Sequence, residues 1–239
     1  MTVASTTQSP ECGRPSPPLP VLLRRVVGLT FVVSFVEVTV YMDVGRIYPG
    51  IMTGNTVEFG RSVALHHWSN AVLTGSAIGS FFCGCMCASL IRRYMKWPCW
   101  ELLLMAMVLL IVTFVRLSPT LQNLLELPLV ALAIGMQGET LTRFGGVSLQ
   151  TLVVTNNMVK FADGFIGRYI AVWLDRKRFE RTRPTPKEVF LPGAAWLCYF
   201  ISSMLGAIIE QISRFGLFLP IVVLFLTVYD LRHSRYAFN

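Results

Sequence analysis

The sequence predicts an all-α polytopic transmembrane helix bundle, with about six spans, two broken or re-entrant helices and an inverted 3+3 repeat. Three observations predict it. Apolar residues fill 54% of the 239 positions and charged residues only 14%, whereas soluble domains carry roughly 25% charged residues. Six stretches are apolar over close to the about 20 residues that a span requires. A short polar motif occurs twice, with the same order of spans around each copy.

Taken from the start, residues 1–21 hold Pro10, Pro15, Pro17, Pro18 and Pro20 among serines and threonines. They lack the apolar core and small-residue cleavage site of a signal peptide and read as a disordered tail. The transmembrane domain follows over 22–231, with repeat halves 22–117 and 124–231, and a short tail over 232–239 ends the chain. Spans are expected at 22–45, 70–92, 99–117, 124–144, 190–212 and 215–231. Two further helical stretches, 52–67 and 152–175, are interrupted by polar residues.

Basic residues arbitrate whether those two cross, because Lys and Arg near span ends stay in the cytoplasm. Arg24 and Arg25 place the N-terminus inside. Spans one and two then return Arg92, Arg93 and Lys96 to the inside, and spans three and four do the same for Arg143. The dense run from Arg176 to Lys187 is also inside only if 152–175 enters the membrane and comes back. The last two spans leave Arg232, Arg235 and the C-terminus cytoplasmic. The competing arrangement has eight full spans, with the basic run outside.

The net charge of +8 therefore reads as a topology signal. No basic face with interleaved aromatics points to nucleic acid, and the lipid bilayer is the expected partner. Cys83, Cys85, Cys87 and Cys198 lie in apolar stretches, so no secreted disulfide framework is expected. No phosphate loop, nucleophile elbow or zinc-protease motif occurs, and neither an enzyme nor a cofactor or metal site is expected.

The repeat is visible when Thr53-Gly54-Asn55-Thr56-Val57-Glu58-Phe59 is laid on Thr155-Asn156-Asn157-Met158-Val159-Lys160-Phe161, giving Thr-x-Asn-x-Val-x-Phe. Glu37 falls on Glu139 in the same alignment. Three spans per half is an odd number, so the second half is inverted. Broken helices at the interface of inverted repeats supply the binding sites of secondary transporters.

Candidate functional residues follow from that frame. Thr53, Gly54 and Asn55, and likewise Thr155, Asn156 and Asn157, open helices whose first turns leave N–H groups unpaired. They read either as a polar-ligand site or as plain helix caps. Glu37 and Glu139 are ionisable groups in or near spans, where such groups face cavities, pair, or conduct protons and ions. Burial disfavours the charged form of a carboxylate, which suits proton coupling. Glu58 and Lys160 occupy equivalent positions with opposite sign and are expected to pair across the repeat axis. Gln137 on the fourth span serves either a ligand or a facing helix.

The run Met52-Thr53-Gly54-Asn55-Thr56, the preceding acidic Glu37, Gly135-Met136-Gln137 and the Thr155 motif together resemble the YoaK-like family of multi-pass membrane proteins (domain of unknown function 1275). The resemblance covers about 22–231. Three positions depart from the family pattern: Glu37 stands for its Asp, Gly138 for its Asn, and Thr155-Asn156-Asn157 for its second Thr-Gly-Thr. The resemblance implies a bacterial-type inner-membrane protein and brings no substrate or reaction.

The functional expectation is a secondary transporter or exporter of a small polar solute or ion, with Glu37 as the proton or cation carrier. A channel or passive facilitator, and a non-transporting sensor or assembly module, are the alternatives. Six short spans make a thin barrier, for which pairing into a homodimer is the natural remedy.

Overall fold

The computed structural model describes residues 17–44, 47–95, 99–138, 143–144, 147–148, 154–171 and 184–234. They form eight α-helices: α1 (Leu19–Asp43), α2 (Met52–Ala64), α3 (Trp68–Tyr94), α4 (Trp100–Val115), α5 (Pro119–Gly138), α6 (Val154–Phe165), α7 (Pro186–Ile212) and α8 (Phe218–His233). A π-helical turn, Ile166–Ile170, extends α6. Arg143–Phe144 and Val147–Ser148 pair as two-residue antiparallel strands, β1 and β2.

Local sequence explains the helix starts. Proline stands in the first turns of α1 and α7, where its missing N–H has no helical partner to lose. Thr185 and Glu188 close a reciprocal capping box before α7, satisfying two of the orphan donors there. The helical bundle and its apolar character match the expectation. α1, α3, α5 and α7 are long and apolar enough to cross a bilayer, and the chain is an integral membrane protein. α4 and α8 are shorter than expected, at 16 residues each. That is about 24 Å at 1.5 Å per residue, less than the roughly 30 Å hydrocarbon layer.

The fourth span also differs from the reading of 124–144. α5 starts at Pro119 and ends at Gly138, and β1 and β2 occupy part of the following segment. α2, with 13 residues, is under about 20 Å long, too short to cross; the helical run of α6 continues through its π-helical turn to Ala171, where the described segment ends.

Ion pairs show which helix ends lie together. Arg116, which caps α4, binds Asp43 at the end of α1 and Glu210 near the end of α7, and its Nε is 3.1 Å from Glu126 of α5. At the opposite end Arg24 and Arg25 of α1 bind Asp230 near the end of α8. There too Arg92, ending α3, is 3.8 Å from Glu101, opening α4. Hence α1, α4 and α7 run one way and α3, α5 and α8 the other. α2 joins the end of α1 to the start of α3, both at the Arg116 end. α6 joins the end of α5 to the start of α7, both at the Asp230 end.

Helix lengths and spacings recur along the chain. α3 and α7 both have 27 residues, α4 and α8 both have 16, and each pair lies 118 positions apart (186 − 68 and 218 − 100). α2 and α6 start 102 positions apart (154 − 52). α1 packs on α7 as α5 packs on α3, and α6 lies on α7 as α2 lies on α3. A Cβ on Gly75 of α3 would stand 3.2 Å from the ring of Phe59, and one on Gly193 of α7 would stand 2.7 Å from that of Phe161. Both phenylalanines end the Thr-x-Asn-x-Val-x-Phe motif, so each short helix rests its aromatic on a glycine of the next long one.

α1 is central, with Val26, Leu29, Val32, Val33, Val36 and Val40 fully buried. Gly84 of α3 and Gly135 of α5 lie where a Cβ would strike the facing backbone, at Leu132 and Phe81. Small residues at such crossings let membrane helices approach closely, which is how they associate without a hydrophobic drive.

Candidate functional site

Glu37 is 3% exposed, on the face of α1 that meets α7 and the loop before α2. One carboxylate oxygen accepts the backbone N–H of Gly50 at 3.1 Å. The other accepts the hydroxyl of Tyr199 on α7. Gly50 permits this approach, because a Cβ there would lie 3.0 Å from the carboxylate and 3.1 Å from Ile134. The side chain thus ties the loop leading into α2 to the central helices.

The same loop is held from its other side. The Asn55 side-chain amide donates to the carbonyl of Tyr48 at 2.5 Å, and the Tyr48 ring stacks on Tyr41 of α1 with centroids 4.5 Å apart. Beside them is a cavity of about 280 Å³ lined by Ile47, Tyr48, Gly54, Asn55, Glu58, Asn70 and Thr74. Its volume is at the small end for ligand pockets, which begin at roughly 300 Å³. Apart from Ile47 and Gly54 these residues all offer hydrogen-bonding side chains. Glu58 receives two hydrogen bonds from Arg61, at 2.6 and 2.9 Å, and one from Ser62 at 3.2 Å. Arg61 holds the Glu58 carboxyl below the usual carboxylate range, so one wall presents a screened negative charge.

The remaining expected residues distribute as follows. Thr53 and Gly54 are exposed and Asn55 is buried; Thr155 is exposed, Asn156 half-buried and Asn157 buried. The two asparagines of the motif are thus both buried. Neither Thr53 nor Asn55 caps α2, whose N-cap is Ile51 without a side-chain bond; Asn55 turns back to the loop instead. The expected Glu58–Lys160 pair is replaced by Glu58–Arg61. Arg61 is one turn along the same helix, while Lys160 is on α6, which packs on α7 and not on α3. Gln137 is fully buried and donates to the carbonyl of Leu29 at 2.9 Å, tying α5 to α1. Glu139 lies outside the described residues.

Tyr48, Asn70, Thr74 and Tyr199 were not singled out by sequence reasoning. Asn70 and Thr74 sit at the start of a long apolar helix, where polar residues look interfacial. Tyr199 has a weak signal only in hindsight: the helix correspondence that pairs α7 with α3 sets it on Phe81, which has no hydroxyl (199 − 118 = 81).

No curated protein and no solved structure matches this chain. One family does, over residues 26–229, a span that contains Glu37, the cavity and both copies of the motif. The chain belongs to the family described as protein of unknown function (DUF1275), as the Met52–Thr56 and Thr155 motifs led one to expect.

Proposed function

We propose that the protein is a secondary transporter or exporter of a small polar solute, with the cavity beside α2 as binding site and Glu37 as proton carrier. The observation that carries this reading is the double attachment of Glu37. A buried carboxylate holds, through Gly50, the loop that supplies Tyr48 to the cavity wall. A charge-assisted hydrogen bond is roughly twice as strong as a neutral one. Protonation of Glu37 weakens its hold on Gly50 and frees the loop, and loss of the proton restores it. Solute access and proton occupancy are thereby linked.

The recurrence of helix lengths, pairings and phenylalanine–glycine contacts supports an inverted repeat, as does the return of α2 and α6 to opposite ends. Alternating access in such folds comes from one repeat rocking against the other. With Arg24 and Arg25 at one end, the positive-inside rule orients that end, and both termini, toward the cytoplasm of a bacterial-type inner membrane.

The test uses purified protein in liposomes with a trapped pH-sensitive dye, to which small polar solutes (amino acids, polyols, small amines) are added in turn. A solute that moves protons through the wild type and not through Glu37→Gln is the expected result. Solute or ion flux that ignores the proton gradient would assign a channel or facilitator. No flux with any solute, together with normal behaviour of Glu37→Gln and Asn55→Ala in cells, would assign a non-transporting module.

A further inference from the structure

At the end of the bundle opposite Asp230, one guanidinium faces three carboxylates. Arg116 donates through Nη2 to Asp43 and to Glu210, and through Nη1 to the carbonyl of Arg214 at 3.3 Å. Gln122 of α5 adds a donor to Asp43 at 3.1 Å. Glu126 is fully buried, 3.1 Å from the Arg116 Nε and beside the Gln122 amide, yet neither of its oxygens receives an aligned hydrogen bond. Glu210 also keeps one buried oxygen without a donor. With all three acids ionised, three negative charges would face Arg116 and, on the Glu210 side, Arg214, an excess of one negative charge. Removing an ionised carboxylate from water without a compensating partner is among the most costly events in folding.

We propose that this cluster is a proton-binding site, holding one proton on Glu126 or shared between Glu126 and the neighbouring acids. The proton removes one negative charge and turns an acceptor-only carboxylate into a donor, which answers both the charge excess and the orphan oxygens. A metal ion is the poorer ligand, since among the described residues no three acidic, histidine or cysteine side chains converge closely enough to hold one. The charged and polar groups that face the site are Asp43 from α1, Arg116 from α4, Glu126 and Gln122 from α5, Glu210 from α7 and Arg214 from the α7–α8 turn. The cluster joins four helix ends, so the bound proton holds that end of the bundle together. Glu37 is six residues before Asp43, about 9 Å along α1, and has its own partners. This inference is independent of transport.

Infrared spectroscopy of the purified protein in detergent at neutral pH tests it. The wild type should show the carbonyl stretch of a protonated carboxylic acid that survives in Glu37→Gln and disappears in Glu126→Gln. Loss of intensity from the ionised-carboxylate region instead would overturn the proposal. Thermal unfolding supplies a second readout. A folded state that holds one proton more than the unfolded state loses about tenfold in its folding equilibrium for each pH unit gained between the ordinary carboxylate range, where the unfolded chain releases its proton, and the pH at which the folded protein releases its own. That slope should flatten in Glu126→Gln, which carries a neutral amide of the same shape; an unchanged slope would count against the site. Should Glu126→Gln fail to fold, the Glu37→Gln protein decides alone, and a spectrum without any acid band refutes the proposal.

Discussion

The carboxylate of Glu37 accepts the backbone N–H of Gly50 at 3.1 Å, so one buried side chain of α1 fixes the path of the chain into α2. An ionisable group at such depth is costly unless it is fully bonded, and here the Tyr199 hydroxyl completes its partners. This relationship binds the central helix of the bundle to the short α2.

Two substitutions separate the structural and chemical parts of that link. Glu37→Ala leaves the Gly50 N–H and the Tyr199 hydroxyl without an acceptor, and is expected to destabilise the fold by about 1–3 kcal/mol. Glu37→Gln preserves shape and one acceptor, and is expected to lose less than the alanine variant. Denaturation in detergent checks the order. In vesicles, Glu37→Gln should abolish the pH dependence of any solute flux while leaving the protein folded.

The phenylalanine–glycine contacts predict an asymmetric response. Gly193→Ala forces a Cβ to 2.7 Å from the Phe161 ring, and overpacking of that kind costs about 1–3 kcal/mol. Gly75→Ala meets the Phe59 ring at 3.2 Å, where a slight shift of the ring suffices. It also gains up to about 1 kcal/mol of helix propensity. Melting curves should rank Gly193→Ala well below Gly75→Ala, and equal losses would contradict the packing described.

Asn55 and Gln137 are both buried amides with different expected consequences. Asn55→Ala removes the bond to the Tyr48 carbonyl, at about 1 kcal/mol, and also alters the cavity wall, so binding or flux should fall more than stability. Gln137→Leu removes the interhelical bond to the Leu29 carbonyl, of a kind worth on average about 0.6 kcal/mol in membrane bundles, and should leave flux intact. A Gln137→Leu protein that is stable but inactive would give Gln137 a ligand role.

The proposed orientation is checked by cysteine accessibility in cells. His67→Cys, which follows α2, should react with a membrane-impermeant reagent added from outside. Lys177→Cys, in the basic run before α7, should react only after the cytoplasmic face is opened. Labelling of both from the same side would remove the support for an inverted arrangement.

Much of the architecture was legible because its causes are local or compositional. Long apolar stretches announced α1, α3 and α7, and Thr-x-Asn-x-Val-x-Phe announced that α2 and α6 begin alike, at Met52 and Val154. The start of α5 was misjudged because Thr120, Gln122 and Asn123 are polar and look like loop, whereas the helix already begins at Pro119. In the candidate site, Glu37 and Asn55 were visible as polar residues in apolar or helix-opening positions. Their partners were not, since Tyr199 and Tyr48 are ordinary residues of a membrane helix and a loop until folding brings them together.

The sequence by itself determined that the chain lives in a bilayer, because hydropathy and charge are properties of the residues and need no fold. It also determined that two helix openings are built alike, because a motif is a matter of order. Which groups meet was decided only by the tertiary structure. Arg116 is 73 residues from Asp43 and 94 from Glu210, and Glu58 found Arg61 on its own helix when the motif pointed to Lys160. Ion pairs and hydrogen bonds act over a few ångströms, and separation along the chain does not encode such distances.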